Sequence, residues 1–451
     1  MISLANTLSF LDNSKYDWKS IIVGITVGQY VFENYLNYRH YQVLKSKAPP
    51  VSIKEEVSKE TFDKSQEYSR AKLRFSVVSD TFNTLKHLAL IRFDIFPKLW
   101  SFSGSLMSKC AFFLPKFMSG AITQSLFFVG IDMVIESLLS LPFSYYSNFV
   151  LEEKYGFNKL SIKVWLGDQI KMLLVSFALG ELALAGLLKI FDYFGDSFIT
   201  YAMLFMLAIQ LIGMTIYPTL IAPLFNKFTP LEDGELKDAI EDLAKQQNFP
   251  VTKLYVVDGS TKSAHSNAYF VGLPWSKQIV LFDTLINQST KEEIVAVLAH
   301  EIGHWKYNHL LQLEVFYHFH LFVVFFLFSA FIHNKSLYKS FGFRDVQPTF
   351  IGFLLANDLF QPLDAIVQFG MKMITRKNEY EADSHAKNCG YEGELAEALI
   401  KLNKENLGSM NADWLYSSYH HTHPLLPERL AALHYVSKHK ISEPEKDIKT
   451  D

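Results

Sequence analysis

The sequence predicts a mostly α-helical protein that crosses a membrane several times and carries a smaller water-facing part with a short β-sheet. Three observations point there. The first is composition: 49% of the 451 residues are hydrophobic, 39 are phenylalanine and only 20% are charged, against roughly a quarter charged in soluble proteins. The second is the length of the apolar runs, since about 20 mostly apolar residues span a bilayer. The third is the stretch 228–290, where the pattern changes to an amphipathic helix and short strands. A net charge of −3 and a near-neutral pI argue against nucleic acid as a partner. Cys110 and Cys389, with no CxxC pair, make neither a disulfide framework nor a thiolate metal site.

In chain order, the N-terminus MISLANTLSFLDNSKYDWK lacks a basic leader, a compact apolar run and a small-residue cleavage site. The first apolar run, residues 21–32, is therefore expected to remain as an anchor. The clearest span starts at Phe198, FITYAMLFMLAIQLIGMTIYPTLIAPLF, and meets no charge until Lys227. Pro218 and Pro223 should kink or end it. A second starts at Val315, VFYHFHLFVVFFLFSAF. Weaker segments lie at 18–38, 84–108, 119–147, 163–193 and 349–376, so hydropathy supports five spans and allows seven. Asp132, Glu136, Asp168, Glu181, Asp358 and Asp364 fall within them. A carboxylate facing lipid costs several kcal/mol, so six such acids favour a hydrated interior over a set of helix ends. Residues 39–82 read as a polar connection with some amphipathic helix. In 228–290, EDGELKDAIEDLAKQQNF has helical apolar spacing, and KLYVVD, NAYFVG and QIVLFD read as three strands.

The chemistry concentrates in VLAHEIGHW, residues 297–305. Thr290 and Glu293 in TKEE form a potential capping box ahead of an apolar run, so the motif lies on a helix. Residues four apart share a helix face; His300 and His304 can present both imidazoles to one metal ion. Glu301 stands beside them, placed to take a proton from the attacking water. This is the H-E-x-x-H arrangement of zinc hydrolases, in which the metal brings water to a pKa of about 7. A catalytic site of this type needs a third protein ligand. RKNEYEADSHAKNCG, residues 376–390, offers Glu379 and Asp383 four apart: a ligand carboxylate, and an acid that orients a histidine from behind. Glu381 is the local rival, but at i+2 it points away. Alone, such a cluster reads as a solvated helix face; with H-E-x-x-H upstream, the ligand reading takes precedence. A third constellation is SSYHHTHPLLPERL, residues 417–430. His423 precedes Pro424, which biases its backbone toward extended conformations, and it could donate to a developing oxyanion. His420 and His421 read as structural or surface residues.

With these residues in hand, the chain resembles the zinc-dependent, multi-span CAAX prenyl proteases, a gluzincin metallopeptidase family, and its fungal branch in particular. SAHSNAYF (263–270), VLAHEIGHW, NEYEAD and SSYHHTHPLLPERL carry the resemblance, supported by LEEKYGFNK (151–159) and FNKFTPLEDGEL (225–236). It implies seven transmembrane helices around a hydrated chamber, with a gluzincin-like catalytic part carrying a small β-sheet. The implied division is 1–227 for helices one to five, 228–312 for a cytosolic catalytic segment, 313–380 for helices six and seven, and 381–451 for a C-terminal catalytic segment and tail. One Zn2+ per chain would be held by His300, His304 and Glu379, with Glu301 as general base and His423 stabilising the transition state. Asp383 would support the metal site; Asn267 and Arg429 would contact substrate. The implied substrates are isoprenylated CaaX proteins, which lose their last three residues, and in fungi a farnesylated mating pheromone precursor that also receives an N-terminal cut. The implied location is the endoplasmic reticulum membrane and the contiguous inner nuclear membrane, in contact with membrane lipids.

Glu381 stands where relatives often have glutamine, and His385 is an uncommon neighbour. The C-terminal EPEKDIKTD carries no clear dilysine retrieval signal. Two other readings compete: quality control of unprenylated or translocon-clogging membrane proteins with the same chemistry, and a scaffold or transporter with a structural metal. The latter would need four protein ligands and would leave Glu301 without a purpose.

Overall fold

The computed structural model describes residues 8–437 except 114, 116, 117 and 274. The first seven residues and EPEKDIKTD, where the sequence was read for a leader and a retrieval signal, lie outside these.

Two long helices open the chain, α1 (Trp18–Val43) and α2 (Lys59–Arg92), followed by α3 (Ile95–Cys110). The polar connection expected at 39–82 is therefore largely helix, and the apolar segment 84–108 is two helices rather than one span. The break has a local cause. Asp94 adopts a left-handed conformation, φ 52°, which aspartate tolerates better than most residues. Pro97 then sits in the first turn of α3, where its missing N–H costs nothing.

Five helices among the described residues are long and apolar enough to cross a membrane: Gly120–Glu152, Ile162–Phe194, Phe198–Phe225, His309–Phe328 and Thr349–Asn388. Their main helical bodies are α4 (Gly120–Tyr146), α5 (Ile162–Phe194), α6 (Phe198–Ile216), α9 (His309–Phe328) and α10 (Thr349–Asn388). The third passes through a π-helical stretch, Tyr217–Ile221, at Pro218 and ends at Phe225, just beyond Pro223. Both prolines act where the sequence places them.

Between α6 and α9 the chain forms a four-stranded sheet, with β1 (Phe228–Pro230), β2 (Val251–Val257), β3 (Ala268–Val271) and β4 (Lys277–Phe282) in the order β1-β2-β4-β3. β2 and β4 run parallel, and β3 pairs antiparallel with β4, Ala268 opposite Leu281. The three read strands are present. β1 is a three-residue FTP segment, too short for an alternation to show. Helix α7 (Glu235–Gln246) buries Ile240, Leu243 and Ala244 against this unit. Helix α8 (Lys291–Lys306) starts at the expected capping box of Thr290 and Glu293. After α10 come α11 (Glu392–Glu405), α12 (Trp414–His420) and α13 (Leu426–Ala432).

Burial divides into two main cores. One gathers the sheet, α7, α8, α11 and α13, around Ile279, Leu281, Ile294, Leu298 and Leu395; the other is the aromatic interior of the membrane helices, around Phe128, Phe191, Phe325 and Phe328. Helix α10 serves both. Its 40 residues extend about 60 Å, twice the roughly 30 Å of bilayer hydrocarbon. One half can span the membrane while the other half packs on α8.

Candidate active site

The site forms where α8 lies on the outer half of α10. A glycine makes this approach possible. A Cβ added to Gly303 would stand 2.9 Å from the His385 Cβ and 3.0 Å from the Ala382 Cα, closer than carbon atoms pack. With no side chain at 303, the two helices meet backbone against side chain, and His300 and His304 face Glu379.

The three residues converge as the spacing suggests. Among the described residues they are the one His/Cys/Asp/Glu group placed to hold a metal ion, with one ligand atom from each all within 4.8 Å. The two imidazole Nε2 atoms lie 3.2 Å apart. Glu379 places Oε1 3.4 Å from His304 Nε2 and Oε2 3.6 Å from His300 Nε2. His300 Nδ1 sits 2.8 Å from Asp383 Oδ1. If that nitrogen carries the proton, Nε2 keeps a lone pair. With His304 in the same tautomer, the two nitrogens facing each other beside a carboxylate share no proton, and Glu379 Oε2 is buried without a well-aligned hydrogen bond. This donor set fits a divalent cation of the kind histidine and carboxylate bind, zinc foremost.

Around this centre, Arg429 places Nε 2.9 Å and Nη2 2.6 Å from the two Asp383 oxygens, with Nη1 3.5 Å from Glu379 Oε2. The expected substrate-contacting arginine thus holds the carboxylate that holds His300. His423 Nδ1 lies 2.8 Å from Glu379 Oε2 while its ring is largely exposed. Contact with that carboxylate raises the His423 imidazole above its ordinary pKa. The segment carrying His423 is tied to α10 by Arg376, which bonds the Ser417 hydroxyl at 3.0 Å and Glu428 at 3.1 Å, and by Lys372 on the Tyr419 carbonyl at 2.8 Å. No side chain among the described residues hydrogen-bonds to Glu301. Burial raises its carboxyl above the usual range, and the His300 and His304 imidazoles pull it back.

Asn267 directly precedes β3, one of the two outer strands of the sheet, and is exposed. Its backbone carbonyl accepts from Phe282 N–H at 3.1 Å, and its side-chain oxygen from Ala268 N–H at 2.8 Å. Among the described residues the other side of β3 is unpaired, as an edge that accepts an extended peptide must be. Glu381 joins neither imidazole of the pair; it contacts His309. His385 packs behind Gly303, 3.6 Å from Cys389 Sγ. Gly303 and His309 belong to the site without a motif that singles them out. The x-x positions of H-E-x-x-H leave glycine unspecified, and a histidine five residues past the motif has no fixed helical relation to it.

Comparison with known proteins gives the same answer across nearly the whole chain. A family model described as CAAX prenyl protease N-terminal, five membrane helices, matches residues 38–227, and one for peptidase family M48 matches 230–437. CAAX prenyl protease 1 of Saccharomyces cerevisiae is 48% identical, covering 96% of this chain and 98% of that protein. The CAAX prenyl protease 1 homolog of Homo sapiens is 38% identical, over 91% of this chain and 94% of that one. The crystal structure of S. mikatae Ste24p superposes with a TM-score of 0.87 at 50% identity, covering 92% of this chain and 98% of that one. The chain therefore belongs to the CAAX prenyl protease family of M48 metallopeptidases, hydrolases carried on multi-pass membrane proteins.

Proposed function

We propose that the chain is a zinc endopeptidase that removes the C-terminal aaX tripeptide from isoprenylated CaaX proteins. In this reading it resides in the endoplasmic reticulum membrane and the contiguous inner nuclear membrane. A second, N-terminal cut in a farnesylated mating pheromone precursor is part of the same proposal. The observation that carries it is the convergence of His300, His304 and Glu379 beside Glu301, on a chain whose relatives bear the name CAAX prenyl protease.

His300, His304 and Glu379 would hold the zinc, and the ion would supply the Lewis acidity that activates water near neutral pH. Glu301 takes the proton as water adds to the scissile carbonyl carbon, then delivers it to the leaving nitrogen as the C–N bond breaks. His423 donates to the oxyanion on that carbon. Asn267 and the open edge of β3 align the peptide by strand addition, which fixes register through main-chain bonds. Arg429 and Asp383 keep His300 and Glu379 in place. The two family models meet between 227 and 230, which supports dividing the chain there. Helix α1, which carries the segment 18–38, and the segment 84–108, shared between α2 and α3, would supply the two further spans that complete seven. A hydrated chamber between the spans is supported by polar contacts within the helices: the Lys86–Glu136 ion pair, and His87 beside Asp358 and His320 beside Asp364.

The test measures bound zinc and tripeptide release from a farnesylated CaaX peptide, for the intact protein, Glu301→Gln and Glu379→Ala. Glu301→Gln should keep its zinc and lose at least about a hundredfold in rate; Glu379→Ala should lose zinc. Full activity in Glu301→Gln would defeat the mechanism. Indifference to prenylated peptides with cleavage of unprenylated membrane proteins would hand the site to quality control.

A further inference from the structure

The two histidines that face Glu379 are backed differently. His300 is held from behind by a carboxylate, Asp383. His304 is not: its Nδ1 faces another imidazole nitrogen, Nδ1 of His309, at 2.9 Å. His309 Nε2 in turn lies 3.0 Å from Glu381 Oε2. His309 is almost fully buried, at 3% exposure, although it begins a membrane-spanning helix. A left-handed residue puts it there. Asn308, φ 55°, reverses the chain between α8 and α9, so that the histidine five positions after His304 turns back onto it.

The proton positions along this row follow from a single requirement. For His304 Nε2 to offer its lone pair to a metal, the His304 proton must sit on Nδ1. That N–H can then donate only to a lone pair on His309 Nδ1, which places the His309 proton on Nε2. Nε2–H in turn donates to Glu381 Oε2, whose carboxylate also meets Lys377 Nζ at 3.1 Å through its other oxygen. Each donor in the row has one acceptor, and no other arrangement leaves His304 Nε2 free.

We propose that His309 and Glu381 form a relay of hydrogen bonds that fixes the tautomer and ring orientation of His304, making both positioning residues of the metal centre. The inference rests on the metal-site reading above. Glu381 thereby acquires a role that its outward position on α10 does not suggest. It needs only an acceptor oxygen there, so glutamine should serve as well as glutamate.

The experiment measures zinc affinity by competition with a chelator on the purified full-length protein in detergent. It compares the intact protein with His309→Leu, His309→Gln, Glu381→Leu and Glu381→Gln, and melting of each metal-free protein reports folding separately. Losing a group that holds a metal-bound histidine costs about 10–100-fold in metal affinity. His309→Leu should fall in that range, and His309→Gln, whose amide oxygen can accept from Nδ1–H, should recover part of it. Glu381→Leu should lose several-fold, while Glu381→Gln should stay within about twofold of the intact protein. A merely structural role for His309 would lower metal-free melting without this order of affinities. Should His309→Leu misfold, the partly exposed Glu381 still decides the question through its own two variants. The relay is overturned if Glu381→Leu binds zinc like the intact protein, or if Glu381→Gln is as weak as Glu381→Leu. An intact protein with no zinc affinity, or with affinity indifferent to His300→Ala, would overturn the metal-site reading itself and the relay with it.

Discussion

At the residue scale the site is a set of charges that hold one another. Asp383 is 1% exposed and meets Arg429 through two bonds and His300 through a third. Removing one partner of a buried pair leaves the other uncompensated, at a cost of about 3–5 kcal/mol. Asp383→Ala should therefore lower the melting temperature of the metal-free protein markedly and weaken zinc binding as well. A variant that melts normally would show that Arg429 finds other partners. A second residue-scale expectation concerns pH. His421, packed beside His40 and Tyr416, is depressed to about 4, mainly by burial and then by Arg376. Its neutral form is the one the fold accepts. The stability it contributes is complete above its unfolded pKa near 6.5 and is lost as pH falls from there toward 4. At about 1.4 kcal/mol per unit, that amounts to roughly 3–4 kcal/mol. The segment bearing His423 should loosen over this range, and His421→Gln should flatten the fall in melting temperature between pH 7 and 5.

At the element scale the decisive contact is α8 on α10, because one helix brings two candidate ligands and the other the third. Gly303→Ala pits two effects against each other. Alanine favours the helix by up to about 1 kcal/mol, but its methyl would press on the Ala382 backbone as well as the His385 side chain. Backbone cannot turn aside, and overpacking of this kind costs about 1–3 kcal/mol. Net destabilisation is expected, together with weaker zinc binding as the helices part; stable protein with unchanged zinc affinity would show that α8 can tilt freely. Much of this element scale was legible in the sequence. The capping box, the H-E-x-x-H helix and the Glu379–Asp383 spacing are all local patterns, and local patterns survive folding. What escaped was non-local or too short. The break at Asp94 depends on one residue's left-handed backbone inside an apolar run, and β1 is three residues long. His309 joins the site only because Asn308 reverses the chain, which no helical periodicity reports.

At the scale of the whole molecule the question is what fills the space between the membrane helices. The six acids within the apolar segments divide by position. Asp168 lies near a helix start and pairs with Lys171 and with Lys262 of the loop below, 2.7 and 2.6 Å away, as an acid at the membrane edge would. Asp358 and Asp364 instead meet histidines of other helices, at 3.4 and 3.1 Å. In the 18-residue apolar stretch of each span only 6–28% of the residues are buried by protein, so much of the helix surface is left to lipid or water. A hydrated interior predicts that the two sides differ in access to water. Asp364 and Ile366 are two residues apart on α10, about 200° around the helix, and Ile366 is 70% exposed. With Cys110 and Cys389 replaced, a cysteine at Asp364 should react with a membrane-impermeant maleimide, and one at Ile366, expected on the lipid side, should not. Maleimides attack the thiolate, which forms readily in water and poorly in hydrocarbon. If neither position reacts, these acid–histidine contacts are sealed in a dry bundle and the hydrated chamber falls. If both react equally, α10 is wetted on every side and does not cross the bilayer at this level.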